Sequence, residues 1–566
     1  MVSSILELEW GQSNMENKFN NIPKEKFAFA NSEGRLHDKE LVTKPVSYLK
    51  DAWYRFRRNK ASIVGAIVIG ILILYAIIAP MISPYTVAYE DTTYQYTAPK
   101  IFENTGFLDG TRKKTVNRET FSYNYAIGVE TGHNAIQNQK FTKETKEDKN
   151  GKLVDFYTFR IDTYHEGGVV FKEVTPEEYF SIQKYQDEHN VQIIYPITRK
   201  NARPKAPQDE TNANYWYETS FKGGKTVVKG ESNEDGTYEY KNIYKHYSGI
   251  DMVESTQGVD ENGNVITIPN PGYNKPYDGY TSKMLIENRD VPEGQTAERL
   301  YDYAYHNQTG YQIRVDYYEY YRYYHSEVKG DKITEPWFIF GTTNSGKDIF
   351  TCLASGARFS FLLAITVASV NLIVGAIYGA IEGYYGGKID IVMERLVEIL
   401  SAVPFMIIVT LLKYHMADSS QVLILFISFF LTGWIGMAGQ TRMQFYRFKN
   451  QEYVLAARTL GAKDPRIMFK HIFPNSLGTL ITGSVLVIPG MIFSETSLSY
   501  LGIINLSTGS MTSVGTLLAA GQPYLVTYPH MILFPSIFVC LLMLSFNLFG
   551  NGLRDAFNPS LRGSED

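Results

Sequence analysis

Six long apolar stretches limit what this chain can fold into. Ala61–Ile82, Phe359–Ile381, Ser419–Thr441 and Pro529–Gly550 carry no Asp, Glu, Lys or Arg; Leu396–Leu412 carries one acid, Glu398, and Ser476–Ser494 runs up against Glu495. A helix crosses the bilayer with ~20 mostly apolar residues. A buried soluble core accounts for one such run, not for six. The mean hydropathy of −0.20 hides this pattern, because residues 83–350 are polar. The stretch at 396–412 is short and is expected to extend into its flanks.

Orientation is read from Lys and Arg in short flanks. Lys44–Lys60 holds six basic residues and one acid, Asp51, and Arg442–His471 holds seven basic residues and two acids, Glu452 and Asp464. Ser497–His530 holds no charged residue of either sign. With six spans these flanks agree on one topology, with both termini and residues 442–475 cytoplasmic and residues 84–340 outside. The expected division is a cytoplasmic tail (1–46), a helix and first span (47–83), an external insert (84–340), a five-span core (341–553) and a second cytoplasmic tail (554–566). The first fourteen residues look unlike the rest of the chain, so Met15 competes with Met1 as the start. Within Ser47–Lys60, Tyr48, Leu49, Ala52, Trp53 and Phe56 recur at helical spacing among basic residues, the pattern of a helix lying on the inner membrane face.

The insert reads as a folded α+β domain. Residues 86–335 contain 29 of the 42 tyrosines and neither of the two cysteines, Cys352 and Cys540. An exterior domain without disulfides fits a bacterium, expected to be Gram-positive, whose outer domains rely on packing. Turns are expected at Asn150-Gly151, Asp235-Gly236, Asn262-Gly263 and Lys329-Gly330-Asp331, and strands at Lys152–Ile161 and Asn264–Ile268. Thr175-Pro176-Glu177-Glu178 announces a helix running to about His189, with Glu178 completing a capping box. Tyr317–Tyr324 reads as a strand with aromatic residues on both faces. The tyrosines suit either a docking surface for a partner or an ordinary core. Asn307-Gln308-Thr309 matches a glycosylation acceptor, a pattern common by chance.

Gly341–Asp348 (GTTNSGKD) is one residue from a nucleotide-binding loop. The last position should be a hydroxyl that binds Mg²⁺, and here it is a carboxylate where phosphate would sit. The stretch reads instead as a turn leading into the second span. No paired Cys-x-x-Cys, H-E-x-x-H or G-x-S-x-G spacing appears, so no catalytic, metal or cofactor site is expected. The net charge of −4 gives no basic field for nucleic acid.

The strongest signal is Glu452–Asn475, EYVLAARTLGAKDPRIMFKHIFPN. It reads as two short helical pieces joined at Gly461–Pro465. Ala456 and Ala457 let a partner come close, Gly461 breaks the first piece, Asp464 caps the second with Pro465 at its first position, and Pro474 ends the segment. A small-residue helix on an inter-span loop is suited to enter a groove on another protein.

This segment resembles the EAA loop of ABC importer permeases, with Ala457, Gly461 and Pro474 at matching spacing. Asp51–Gly65, Phe340–Phe361, Gly383–Phe405, Ser494–Ile503 and Asn547–Pro559 resemble the C-type permease of oligopeptide and dipeptide importers. The resemblance covers Ser47–Ser83 and about Pro336–Pro559. It implies an all-α transmembrane bundle of six helices, of the type I importer kind; the α+β extracellular insert departs from the family, whose loop after the first span is far shorter. It also implies that Glu452, Leu455, Ala456, Ala457, Arg458, Gly461, Asp464 and Pro474 couple the chain to an ATPase. The leading Glu of the family loop is Leu455 here, which puts a salt bridge from that position in doubt. The implied partners are a second homologous permease, two ABC ATPase subunits, an extracellular peptide-binding lipoprotein and the peptide itself, in the plasma membrane. ATP hydrolysis then lies on the partner subunits. Glycines 375, 379, 433, 436 and 483 permit close helix packing, and Pro404 and Pro489 are expected to kink the third and fifth spans. Pro404 and Glu495 are candidates for the translocation pathway, Glu495 at its outer mouth, whereas Glu398 has Arg395 as a nearby partner. A membrane-anchored receptor whose insert binds a ligand is the competing reading, and it leaves the EAA-like loop without a purpose.

Overall fold

Asparagine 59 starts the membrane part of the chain. In the computed structural model its side chain accepts from Ser62 N, capping a helix just after a first, shorter one. The structure describes residues 48–198, 216–219, 225–228, 255–259, 265–269, 301–306 and 311–557, apart from scattered positions within these ranges. The tail 1–46 with Met15, most of the tail 554–566, the turns at 235–236 and 262–263, Asn150 and the acceptor at 307–309 lie outside the described residues. The described residues from Arg55 onward belong to one unit.

Helix α1 is Tyr48–Arg58 and α2 is Lys60–Ile82, close to the bounds expected. The described part of the insert mixes strands and helices. Thr111–Asn117 and Ile136–Glu147 flank Leu153–Asp162 in an antiparallel sheet. Tyr311–Asp316 pairs with Val169–Val174, Ala304–His306 and Ile194–Tyr195 in a second. The expected strand at 264–268 is Val265–Pro269, paired with Ser255–Val259. Helix α3, Pro176–His189, begins where the Thr175 hydroxyl accepts from Glu178 N. The Glu178 carboxylate accepts from the Tyr320 hydroxyl at 2.9 Å.

Tyr317–Tyr324 departs from expectation. It is helical, as α4 (Tyr317–Tyr323) followed by a wide π turn over Tyr324–Lys329. The preceding strand ends at Asp316, whose carboxylate accepts from Tyr318 N at 3.2 Å. That cap outweighs the strand preference of aromatic residues. Helical spacing then buries Tyr317, Tyr320 and Tyr321 in one core with Tyr85, Tyr94 and Phe338. Some polar tips are satisfied inside: the Tyr317 hydroxyl donates to Asp91 at 2.7 Å, and Tyr85 accepts from Trp337 N at 3.0 Å, whereas the buried Tyr94 hydroxyl has no hydrogen-bond partner among the described residues. Many of the insert's tyrosines are therefore core residues.

The near-match to a nucleotide loop is a turn. Lys347 pairs with Glu90 at 3.2 Å, and Asp348 accepts from Thr351 N at 2.9 Å as the cap of the next helix. A Cβ on Gly346 would lie 1.8 Å from Asp91 O, so that turn admits only glycine. Helix α5, Ile349–Tyr385, starts ten residues before the apolar run because this cap sets its origin. Helices α6 (Gly387–Ser401) and α7 (Phe405–His415) are bent by 72° at a break containing Pro404. Then come α8 (Gln421–Phe448), α9 (Glu452–Thr459) and α10 (Phe473–Tyr500). Helix α11 (Val514–Gly521) interrupts the uncharged loop, and α12 is His530–Phe557. Among the described residues five helices are long and apolar enough to cross a membrane, and the α6–α7 pair makes a sixth if it is one span.

Helices α5 and α8 pack through glycines. A Cβ on Gly375, Gly379 or Gly383 would lie 2.6, 2.1 or 2.7 Å from the backbone oxygens of Trp434, Ala438 or Arg442. One glycine per helical turn thus brings two backbones together. Gly433 and Gly483 are equally tight, against Asn371 and Gln440, but a Cβ on Gly436 meets nothing within 4 Å, so it takes no part in this packing. Pro489 lies within the unbroken helix α10.

Candidate functional site

Helix α9 is anchored from beneath and open above. Val454 is fully buried with Tyr384, Phe445, Ile467, Met468 and Ile472. On the other face Leu455 is 43% and Leu460 88% exposed, with Ala456 and Thr459 beside them. An exposed leucine at this level, flanked by small residues, forms a shallow apolar pad available to another protein.

The end of α9 is fixed by the chain itself. Gly461 has φ +82°, its N–H donates to Arg458 O at 3.0 Å, and Ala462 N donates to Ala457 O at 3.1 Å. These two bonds are a Schellman closure, which selects glycine at the left-handed position. Glu452, Arg458, Lys463, Asp464, Arg466 and Lys470 are exposed around the pad. Ala457 is half-buried.

Two expectations for this segment are corrected. Asp464 does not cap the next piece. Lys463 occupies the cap position without a side-chain bond, and the Asp464 carboxylate accepts from the Tyr384 hydroxyl at 2.6 Å. Nor does Pro474 end the segment. Helical structure runs from Asp464 to Tyr500 without a break, passing through a π turn at Ile467–Ile472. Proline lacks an N–H and its ring crowds the preceding turn, and the wider turn just before it absorbs both defects.

An ionic clamp holds the helices beneath α9. Arg442 on α8 forms a bidentate pair with Asp390 of α6, at 2.7 and 3.0 Å, and reaches Glu382 of α5 at 3.4 Å. Tyr446 donates to Asp390 at 2.6 Å, and Lys449 donates to Gly383 O at 3.0 Å. Bidentate arginine pairing adds direction as well as strength. Sequence reasoning missed Tyr384 and Asp390. The signal was the Gly386-Gly387 pair, whose positive φ values of 65° and 57° separate α5 from α6 and set these side chains at a helix junction.

Glu495 is not at an open mouth. It is 1% exposed on α10 and accepts from Ser360 of α5 at 2.8 Å and from Ser499 at 3.1 Å. Its carboxyl group is enclosed by hydroxyls inside the helical bundle. Pro404 is exposed at the α6–α7 break. Glu398 pairs with Arg395, both exposed.

The family described as "binding-protein-dependent transport system inner membrane component" matches residues 372–563. The "N-terminal TM domain of oligopeptide transport permease C" matches residues 47–99. The oligopeptide transport system permease protein OppC of Bacillus subtilis is 43% identical over 235 residues, 42% of this chain and 76% of the relative. The dipeptide transport system permease protein DppC of Bacillus subtilis is 38% identical over 224 residues, 39% of this chain and 69% of the relative. The OppC protein of Haemophilus influenzae is 40% identical over 228 residues, 40% of this chain and 72% of the relative.

Proposed function

The chain belongs to the family of binding-protein-dependent transport inner membrane components, and we propose that it is the oligopeptide or dipeptide permease subunit of an ATP-driven importer. Its task is to form half of a translocation pathway and to couple that pathway to separate ATPase subunits through α9 and the turn after it. The observation that carries this reading is the pad of Leu455, Ala456 and Leu460, exposed on a helix whose opposite face is locked by Val454. The membrane-anchored receptor reading gains no support from these relatives.

In this reading α6 and α7 form one bent span, which makes six in all. Both termini and residues 442–475 face the cytoplasm, and residues 84–340 are extracellular. The amphipathic residues of α1 lie on the inner membrane surface. A second homologous permease completes the pathway, two ABC ATPases bind below, and a peptide-binding lipoprotein delivers substrate from outside. Closure of the ATPases on ATP displaces α9, and the rigid bundle passes that motion to the pathway.

Affinity purification of the tagged protein from native membranes tests the reading. Two nucleotide-binding subunits are expected to co-purify, and the pair Leu455→Asp and Leu460→Asp should release them while the protein remains in the membrane. Retention of the ATPases by that variant would remove α9 as the docking element.

A further inference from the structure

Toward the ends of α8, α10 and α12 lies a cavity of about 440 Å³, within the ~300–1,000 Å³ usual for small-ligand sites. Its walls are mostly polar, with Leu486 and Phe557 as the apolar members, although the helices around it are apolar through their middles. Gln440, Gln444 and Arg447 come from α8, Thr479 and Thr482 from α10, and Arg554 from α12. Neither Arg447 nor Arg554 has a carboxylate partner among the described residues. Both guanidiniums are exposed to solvent at the rim of the cavity, where an incoming anion can reach them without first displacing a protein carboxylate. Gly483 shapes the wall, because a Cβ there would lie 2.1 Å from Gln440 Oε1 and drive that amide away from α10.

The lining suits a peptide end. Guanidinium groups match the two oxygens of a carboxylate. The amides of Gln440 and Gln444 and the hydroxyls of Thr479 and Thr482 can meet peptide N–H and C=O groups. Helix α8 leads into α9, and α10 is continuous with the turn after α9, so the helices that form this cavity also carry the docking pad.

We infer that this cavity receives the C-terminal carboxylate of the transported peptide on its way out to the cytoplasm, with Arg447 and Arg554 as its partners. The inference rests on the permease reading and adds to it the chemical group that is recognised and the residues that recognise it.

The test uses the complete complex in proteoliposomes, with trialanine and its C-terminal amide as probes. Arg447→Gln together with Arg554→Gln should lower the maximal rate of trialanine import about tenfold or more, as loss of a charge-assisted pair implies. Import of the amide should change far less, and Arg447→Lys with Arg554→Lys should restore most of the trialanine rate. An unchanged trialanine rate, or an equal loss for both probes, would overturn the inference. So would a loss that appears in phosphatidylglycerol vesicles and vanishes in phosphatidylcholine alone, which assigns the cavity to an anionic lipid headgroup. Failure of the unaltered complex to import either probe would overturn the permease reading itself, and this inference with it.

Discussion

The Tyr384 hydroxyl donates to Asp464 at 2.6 Å and so ties the end of α5 to the turn that succeeds α9. A single bond of this kind contributes about 1 kcal/mol net. Tyr384→Phe should therefore fold and still bind the ATPases, but transmit their motion less faithfully. Peptide imported per ATP hydrolysed should fall severalfold, read from uptake and phosphate release in the same proteoliposomes. An unchanged ratio would show that the tie has no part in coupling.

Gly461 separates backbone strain from crowding. Its φ is +82° and a Cβ there meets nothing within 4 Å, so any cost of substitution is conformational. A β-branched residue in this region costs about 1–3 kcal/mol, and Asn costs less. Gly461→Val should greatly reduce recovery of the ATPase subunits in a pull-down, and Gly461→Asn should retain most of it. Equal recovery from both variants would mean that the bend after α9 does not shape the docking surface.

At Gly379 the cost is steric. A Cβ would lie 2.1 Å from Ala438 O, and backbone cannot rotate away. Gly379→Val should separate α5 from α8 and lower the unfolding midpoint by an amount corresponding to about 1–3 kcal/mol. Gly436→Ala, on the open side of α8, should leave the midpoint unchanged. Thermal unfolding in detergent distinguishes the two.

The insert should carry a measurable acid sensitivity at His165. Its ring stacks on Tyr318 at 4.6 Å, and neither ring nitrogen has a hydrogen-bond partner. Burial first, and then the neighbouring His133, hold its imidazole down to about 4, with Asp316 pulling the other way and Lys100 adding to the depression. The folded state thus binds fewer protons than the unfolded one between about pH 6.5 and 4. The stability that His165 contributes is complete above that window and is lost as the pH falls through it. His133 acts oppositely: burial lowers its basicity, but Asp316 raises it further, so its net shift is upward. His165→Phe should match the parent at pH 8 and resist proteolysis of the insert better at pH 5. A difference that does not grow on acidification would count against the assignment.

How much was legible depends on where each signal lives. The spans and α9 were visible because apolar runs and a Schellman glycine are local. Helix α3 was visible because Thr175 and Pro176 state its start within two residues. Tyr317–Tyr324 misled because its composition favours a strand, while the deciding cap, Asp316, stands just outside the run. Asp464 misled for a different reason: a carboxylate before proline has the form of a cap, and only folding brings Tyr384, 80 residues earlier, within reach of it. The enclosure of Glu495 by Ser360 is likewise a long-range fact, 135 residues apart in sequence.

The unbroken helical stretch from Asp464 to Tyr500 has 37 residues, about 55 Å at the usual rise per residue. Such a rod works as a lever arm. A tilt of ~10° at one end sweeps the other through roughly 10 Å, several times the size of a side-chain adjustment. The π turn at Ile467–Ile472 is where such an arm would flex, close to the pushed end. A small stroke delivered beside Leu460 would therefore arrive magnified at the far end of the rod, where Glu495 is held by Ser360 of α5.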